Sequence, residues 1–256
     1  MISTSGLTIG YRKGHSKKVV QTCLNMHASE GSLVAILGPN GCGKSTLLRT
    51  LAGILDPLEG TVQVHDRLLS TLSLQERAKL MSLVLTDTVQ VVYMTVRDMV
   101  TMGRHPYTTL FGHLTNHDRA CVEKALEAVK MTSFAGRYVQ ELSDGERQRV
   151  MIAKALAQDT PLVLLDEPTS HLDLPNRIET ILLLRKLTNE WGKTVLLSTH
   201  EIDLALRLAD SIWLMDLNGG LTVGSPADLI KSGSIQSVFH SDNYGFEAET
   251  GRVIIF

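Results

Sequence analysis

The chain has 256 residues, 43% hydrophobic and 20% charged, with 25 basic against 27 acidic side chains. Such a length holds one sizeable core, or a core with an inserted subdomain, and the near-neutral balance gives no electrostatic reason to expect nucleic acid. No apolar run approaches the roughly 18 to 20 residues that span a bilayer, and the start, MISTSGLTIGYRKG, lacks the apolar centre of a signal peptide, so a cytoplasmic protein is expected. In that reducing compartment Cys23, Cys42 and Cys121, which lack metal-ligand spacing, are expected to form no disulfide.

Residues 1 to 36 alternate apolar and polar between turn signals, as antiparallel strands do. Leu33 to Leu37 then reads as a buried strand, and it feeds residues 38 to 46, GPNGCGKST, which fit G-x-x-x-x-G-K-[ST] without a mismatch. Side chains at Gly38, Gly41 and Gly43 would obstruct a backbone wrapped around phosphates. Pro39, Asn40, Cys42 and Thr46 complete the wrap, Lys44 reaches the β- and γ-phosphates, and Ser45 is placed to ligate Mg²⁺. Ser45 to Ala52 reads as a helix whose N-terminus favours anions, with Gly53 as its stop. The helix end and Lys44 are expected to lower the Cys42 pKa, although its chief merit is small size. This loop binds ATP or GTP.

Further strands are expected at 60–64 and 81–85, with a short helix at 73–79 between them. From about Thr95 to Gln158 the pattern turns helical, with Val96, Met99, Val100 and Met102 on one helix and Val122, Ala125, Leu126 and Val129 on another. His113 and His117 have i, i+4 spacing but sit in FGHLTNHD, a loop entering a helix, which argues against a metal site. Val91 to Met94 read either as an exposed apolar groove or as the insert's own core.

The apolar strand from Leu162 ends in Asp166-Glu167. A carboxylate there can hold Mg²⁺ through water opposite the phosphate-loop serine, which is the place of Asp166. Glu167 points elsewhere and is placed to orient or deprotonate an attacking water. Pro175 opens a helix that Gly192 ends, strands follow near 195–197 and 212–215, Asn218-Gly219-Gly220 marks a hairpin, and Ser225-Pro226 caps a last short helix. Strand and helix alternate as in an α/β protein with a parallel sheet.

Three more elements stand beside these: LSDGERQ at 142–148, SHLD at 170–173 and STH at 198–200. In this order and spacing the set resembles the ATPase subunits of ATP-binding cassette (ABC) transporters over essentially the whole chain. The resemblance implies a single RecA-like P-loop NTPase core with an antiparallel β subdomain, in residues 1–86 and 159–256, and an inserted helical subdomain in 87–158. It implies that Ser143, Asp144, Gly145 and Glu146 form the signature, with Asp144 for the usual Gly and Glu146 for the usual Gln. Ser143 and Gly145 at a helix N-terminus then offer a hydroxyl, N–H groups and a dipole to the ATP held by the opposite subunit.

By the same resemblance His200 contacts the γ-phosphate, Asp173 links the two sites of the dimer, and Tyr11 stacks on adenine. The family's usual metal-contacting Gln is missing after the strand at 81–85, which leaves Thr86, or Gln90 further along, for that place. Residues 94–107, MTVRDMVTMGRHPY, look like the segment of importers that handle iron-siderophores, haem and cobalamin. Implied partners are a second identical ATPase subunit, separate permease chains, and a substrate-binding protein acting through the permease, with no nucleic acid. Mg²⁺ is the implied cofactor, and the place is the inner face of the cell membrane, through the permease. A soluble ABC ATPase acting on ribosomes or DNA, and a nucleotide binder without turnover, are the competing readings.

Overall fold

The computed structural model describes residues 1–14, 16–85, 91–108, 112–170 and 172–239, and the backbone of 244–246 and 253–255. The alternating N-terminal segment forms β1 (Ile2–Lys13), β2 (Ser16–Leu24) and β3 (His27–Ala28), with β2 and β3 both antiparallel to β1. The fully apolar β4 (Leu33–Leu37) is buried along its whole length and leads through the phosphate loop into α1 (Lys44–Leu51). β5 (Glu59–Val64) returns to pair with β1, and β6 (Arg67–Leu68) closes an antiparallel sheet of order β2-β1-β5-β6.

The chain then runs through α2 (Leu74–Leu80) into β7 (Met81–Val84), and on to the helices α3 (Val96–Thr101), α4 (Asn116–Ala128) and α5 (Asp144–Ala157). Each of these three helices starts with a reciprocal cap: Thr95 with Asp98, Thr115 with Asp118, and Ser143 with Glu146. β8 (Leu162–Asp166), α6 (Leu174–Trp191), β9 (Thr194–Ser198), α7 (Ile202–Leu208), β10 (Ser211–Met215) and β11 (Leu221–Gly224) complete the second sheet, followed by α8 (Pro226–Lys231), α9 (Ser234–Val238) and the hairpin of β12 (Tyr244–Phe246) with β13 (Val253–Ile255). The sheet order is β11-β10-β4-β9-β8-β7, parallel except for β11.

Period-two alternation divides the core. Leu162 and Leu164 of β8 pack toward α1 and the antiparallel sheet, while Val163 and Leu165 pack toward α3 to α6. Burying both faces is why β4, β8 and β9 read as continuous apolar runs rather than alternating ones. The parallel register aligns Asp166 with Ser198, and Ser198 with Ile36, so the loops leaving β4, β8 and β9 meet at one edge. Open α/β sheets bind ligands at that edge.

Along α6, Ile181 and Leu187 are buried whereas Ile178 and Leu182 are exposed. Met102 leaves α3 for a 3₁₀ turn and is partly exposed. The two readings of Val91 to Met94 divide by residue: Val91 and Met94 pack on the helical core, whereas Val92 and Tyr93 are 68% and 77% exposed.

The Arg of GRHPY is structural. Arg104 is buried; its Nε donates to Asp118 Oδ1 at 2.8 Å, its Nη1 to the Ala157 carbonyl at 2.8 Å, and its guanidinium lies 4.0 Å from the Tyr107 ring centre. It therefore ties the 3₁₀ turn to both α4 and α5. Burial pushes the Asp118 carboxyl up, but the Thr115 hydroxyl and amide and the Arg104 guanidinium bring it down to about 2. A carboxylate lowered by folding stabilises above its unfolded pKa, so this contribution is complete above about pH 4 and is lost as pH falls toward 2. Arg104→Ala leaves Asp118 buried and unpaired, and is expected to cost about 3–5 kcal/mol in urea unfolding. A cost below 1 kcal/mol would refute that role.

Candidate active site

The phosphate loop is held open by close backbone approach. A Cβ at Gly38 would lie 2.4 Å from the Met215 carbonyl oxygen and 2.7 Å from Cys42 Sγ. Gly43 has φ 108°, and its Cβ would meet Val20 at 2.5 Å, so only glycine fits there. Lys44 is 5% exposed and curls over its own loop, Nζ donating to the Gly38 carbonyl at 2.8 Å and the Pro39 carbonyl at 3.3 Å. Burial lowers its pKa from the usual lysine range, opposed by Cys42, Glu167 and Asp166. The expectation for Cys42 is reversed: burial pushes its thiol up and outweighs the helix end and Lys44. Cys42 is a small buried filler, not a reactive thiol.

The acids from β8 divide as their order suggests. Ser45 Oγ donates to Asp166 Oδ1 at 3.0 Å, and Ser198 Oγ donates to the same oxygen at 2.7 Å. The Glu167 amide in turn donates to Ser198 Oγ at 2.9 Å. Glu167 has φ 47°, a left-handed conformation that turns it away from Asp166. Such backbone costs of order 1–3 kcal/mol and collects at functional sites. His200 Nε2 donates to Glu167 Oε1 at 2.6 Å, so the base candidate and the histidine form one pair.

Two residues of this site receive no role from the motifs. Ser198 fixes both acids, and its signal is its place in STH beside His200. Gln21 is the other: its buried Nε2 donates to the Cys42 carbonyl at 2.9 Å and to the Asp216 carbonyl at 2.8 Å, tying β2, the phosphate loop and the end of β10 together. Its sequence signal is faint: Gln21 is a buried polar residue in a mostly exposed strand that does not alternate strictly. Gln21→Leu strands both carbonyls and is expected to weaken ATP binding roughly tenfold, on the order of 1–2 kcal/mol. Titration with a fluorescent ATP analogue measures this, and unchanged affinity in a folded variant would remove Gln21 from the site.

Tyr11 is partly exposed, and its hydroxyl shares a 2.9 Å hydrogen bond with that of Thr46 at the start of α1. Ser143 caps α5: its amide and hydroxyl both donate to Glu146 Oε2 at 2.9 Å, and those bonds hold the Glu146 carboxyl below its usual range. Asp144 pairs with Arg147 at 3.0 Å. A Cβ at Gly145 would come no closer than 3.4 Å to any neighbour, so nothing packed against it in this chain demands glycine. Asp173 caps α6 by accepting the Asn176 amide at 3.0 Å. Thr86 and Gln90 lie outside the described residues.

A loop of backbone N–H groups with a lysine, an acid–serine pair at its edge, and a carboxylate–histidine pair beside it can bind a nucleoside triphosphate and cleave its terminal phosphate. Comparison with known proteins agrees. The ABC transporter family model matches residues 22–170. The iron(3+)-hydroxamate import ATP-binding protein of Bacillus subtilis is 36% identical over 94% of this chain and 88% of its own length. A solved inward-facing ABC transporter of metal-chelate type superimposes with a TM-score of 0.82 at 29% identity, over 100% of this chain and 96% of that one. A dimeric ATP-binding cassette in a post-hydrolysis state, bound to ADP and Pi, gives a TM-score of 0.77 at 28% identity, over 88% of this chain and 99% of that one. The chain belongs to the ABC transporter family, as a subunit that binds and hydrolyses ATP to drive transport. Among the described residues no helix is long and apolar enough to cross a membrane.

Proposed function

We propose that this subunit energises a membrane importer for an iron-siderophore or a related metal chelate such as haem or cobalamin. The cargo class is supported by the hydroxamate-import relative and the metal-chelate neighbour. The observation that carries the enzymatic part is the pairing of Glu167 with His200 beside an Asp166 already bonded to Ser45.

Two copies act together at the inner face of the membrane, each attached to a separate permease chain that a substrate-binding protein loads. The working unit is a nucleotide-binding core, 1–86 and 159–256, carrying a helical insert, 87–158. Tyr11 stacks on adenine, the backbone of Gly38 to Thr46 wraps the phosphates, and Lys44 leaves its two carbonyl partners for the β- and γ-phosphates. Ser143, Asp144, Gly145 and Glu146 of the second copy close over the γ-phosphate, and Asp173 passes the state of one site to the other. Ser45 and Asp166 offer a hydroxyl and a carboxylate oxygen 3.0 Å apart, the hard donors that suit Mg²⁺, with Thr86 or Gln90 as the further contact. When bound, Mg²⁺ supplies charge neutralisation of the phosphates.

Glu167 accepts the proton of the attacking water while His200 turns to the γ-phosphate. Loss of that phosphate removes the signature's contacts, charge repulsion separates the copies, and the permease switches. Driving such a switch from 1:99 to 99:1 needs about 5.5 kcal/mol of differential affinity, which contacts made only in the closed pair supply. Reconstitution with the co-purified permease and its substrate-binding protein in vesicles tests the cargo: ATP is expected to drive uptake of at least one among ferric hydroxamate, haem and cobalamin. No ATP-dependent uptake of any of the three, in vesicles that still hydrolyse ATP, would overturn the cargo class.

A further inference from the structure

We propose that His117, Cys121 and Asp159 form a binding site for a divalent cation of the zinc class, separate from the nucleotide site. The sequence pairs His117 with His113, but the fold pairs it with Cys121. His117 and Cys121 stand one turn apart on the same face of α4. Asp159 comes from the turn after α5, where a left-handed backbone, φ 54°, bends the chain back toward them. His117 Nε2 lies 3.5 Å from Cys121 Sγ, and the three candidate ligand atoms all fall within 4.8 Å of one another.

Zinc bonds of about 2.3 Å to sulfur and about 2.0 Å to nitrogen, at the tetrahedral angle, place those two atoms roughly 3.5 Å apart. The pair therefore already spans one edge of a tetrahedron. The same three side chains line a cavity of about 180 Å³ with Lys124 and Trp191, room for an ion and a water as fourth ligand. Imidazole, thiolate and one carboxylate select zinc or cobalt over magnesium, which prefers oxygen alone.

The surroundings define the competition. Lys193 Nζ holds Asp159 Oδ1 at 2.7 Å, so an ion takes the other carboxylate oxygen or displaces the lysine. Lys124 is drawn aside, 4.2 Å from the Trp191 ring centre. Helix α5 separates Asp159 from Ser143, and its 14 residues span about 21 Å, so the cluster lies well apart from the signature.

Cobalt titration of the full chain in EDTA-washed buffer tests the site without reference to ATP. A near-ultraviolet thiolate-to-cobalt band and tetrahedral visible bands are expected, both displaced by zinc. Cys121→Ala is expected to abolish the near-ultraviolet band, His117→Ala to weaken cobalt binding by at least about tenfold, and Asp159→Asn to do the same. Circular dichroism and Mg²⁺-dependent phosphate release show that each variant remains folded. Absence of a thiolate band, or a band that persists in Cys121→Ala and so arises at Cys23 or Cys42, would overturn the proposal.

Discussion

Glu167→Gln is expected to leave ATP binding intact and to lower phosphate release by roughly 10²–10⁴-fold. The carboxylate can take a proton from water, and the amide keeps its shape without its basicity. The turn that presents it is set by the backbone, since the Glu167 amide is held by Ser198 rather than by its own side chain. The substitution should therefore remove chemistry without moving Asp166, whose bonds to Ser45 and Ser198 are independent of it. Single-turnover phosphate release against equilibrium binding separates the two effects. A variant that hydrolyses within threefold of the parent would show that Glu167 is not the base.

Lys44→Met is expected to act earlier, on binding itself. Its ammonium, nearly enclosed by the loop, is paired with the Gly38 and Pro39 carbonyls, and burial already disfavours its charge. A triphosphate offers full negative charge in place of carbonyl dipoles, which is why the side chain should transfer to it. Losing a buried charged partner costs about 2–5 kcal/mol, roughly 30- to 5,000-fold in affinity. Calorimetric titration with ATP checks this, and a weakening of less than threefold would mean that the loop's N–H groups hold the phosphates without Lys44. The methionine variant keeps the apolar stem against the loop, so thermal stability should not fall.

Much of the site is legible in the sequence because its chemistry is local. The phosphate loop needs its glycines at fixed spacing, and the acids follow an apolar run of strand length. What the sequence leaves hidden depends on distant pieces meeting. Gln21 reaches Cys42 and Asp216 across the two sheets, and the sequence of β2 tells nothing of what waits at its inner face. Cys42 shows a conflict of two correct principles, in which desolvation outweighs the helix end. Ser143 and Glu146 spell a capping box as clearly as they spell a signature, and in the isolated chain the cap is what forms. GRHPY resembles an importer segment as a string, yet its arginine holds helices together, so the motif bears on the build of the insert.

In the proposed dimer the cap at Ser143 opens, its hydroxyl turning from Glu146 to a phosphate bound by another copy. Light scattering of Glu167→Gln during gel filtration, with and without saturating ATP, measures this directly. A mass that doubles with ATP, and fails to double when Ser143→Arg is added, is the expected result. A mass that stays at one chain while ATP is demonstrably bound would contradict it.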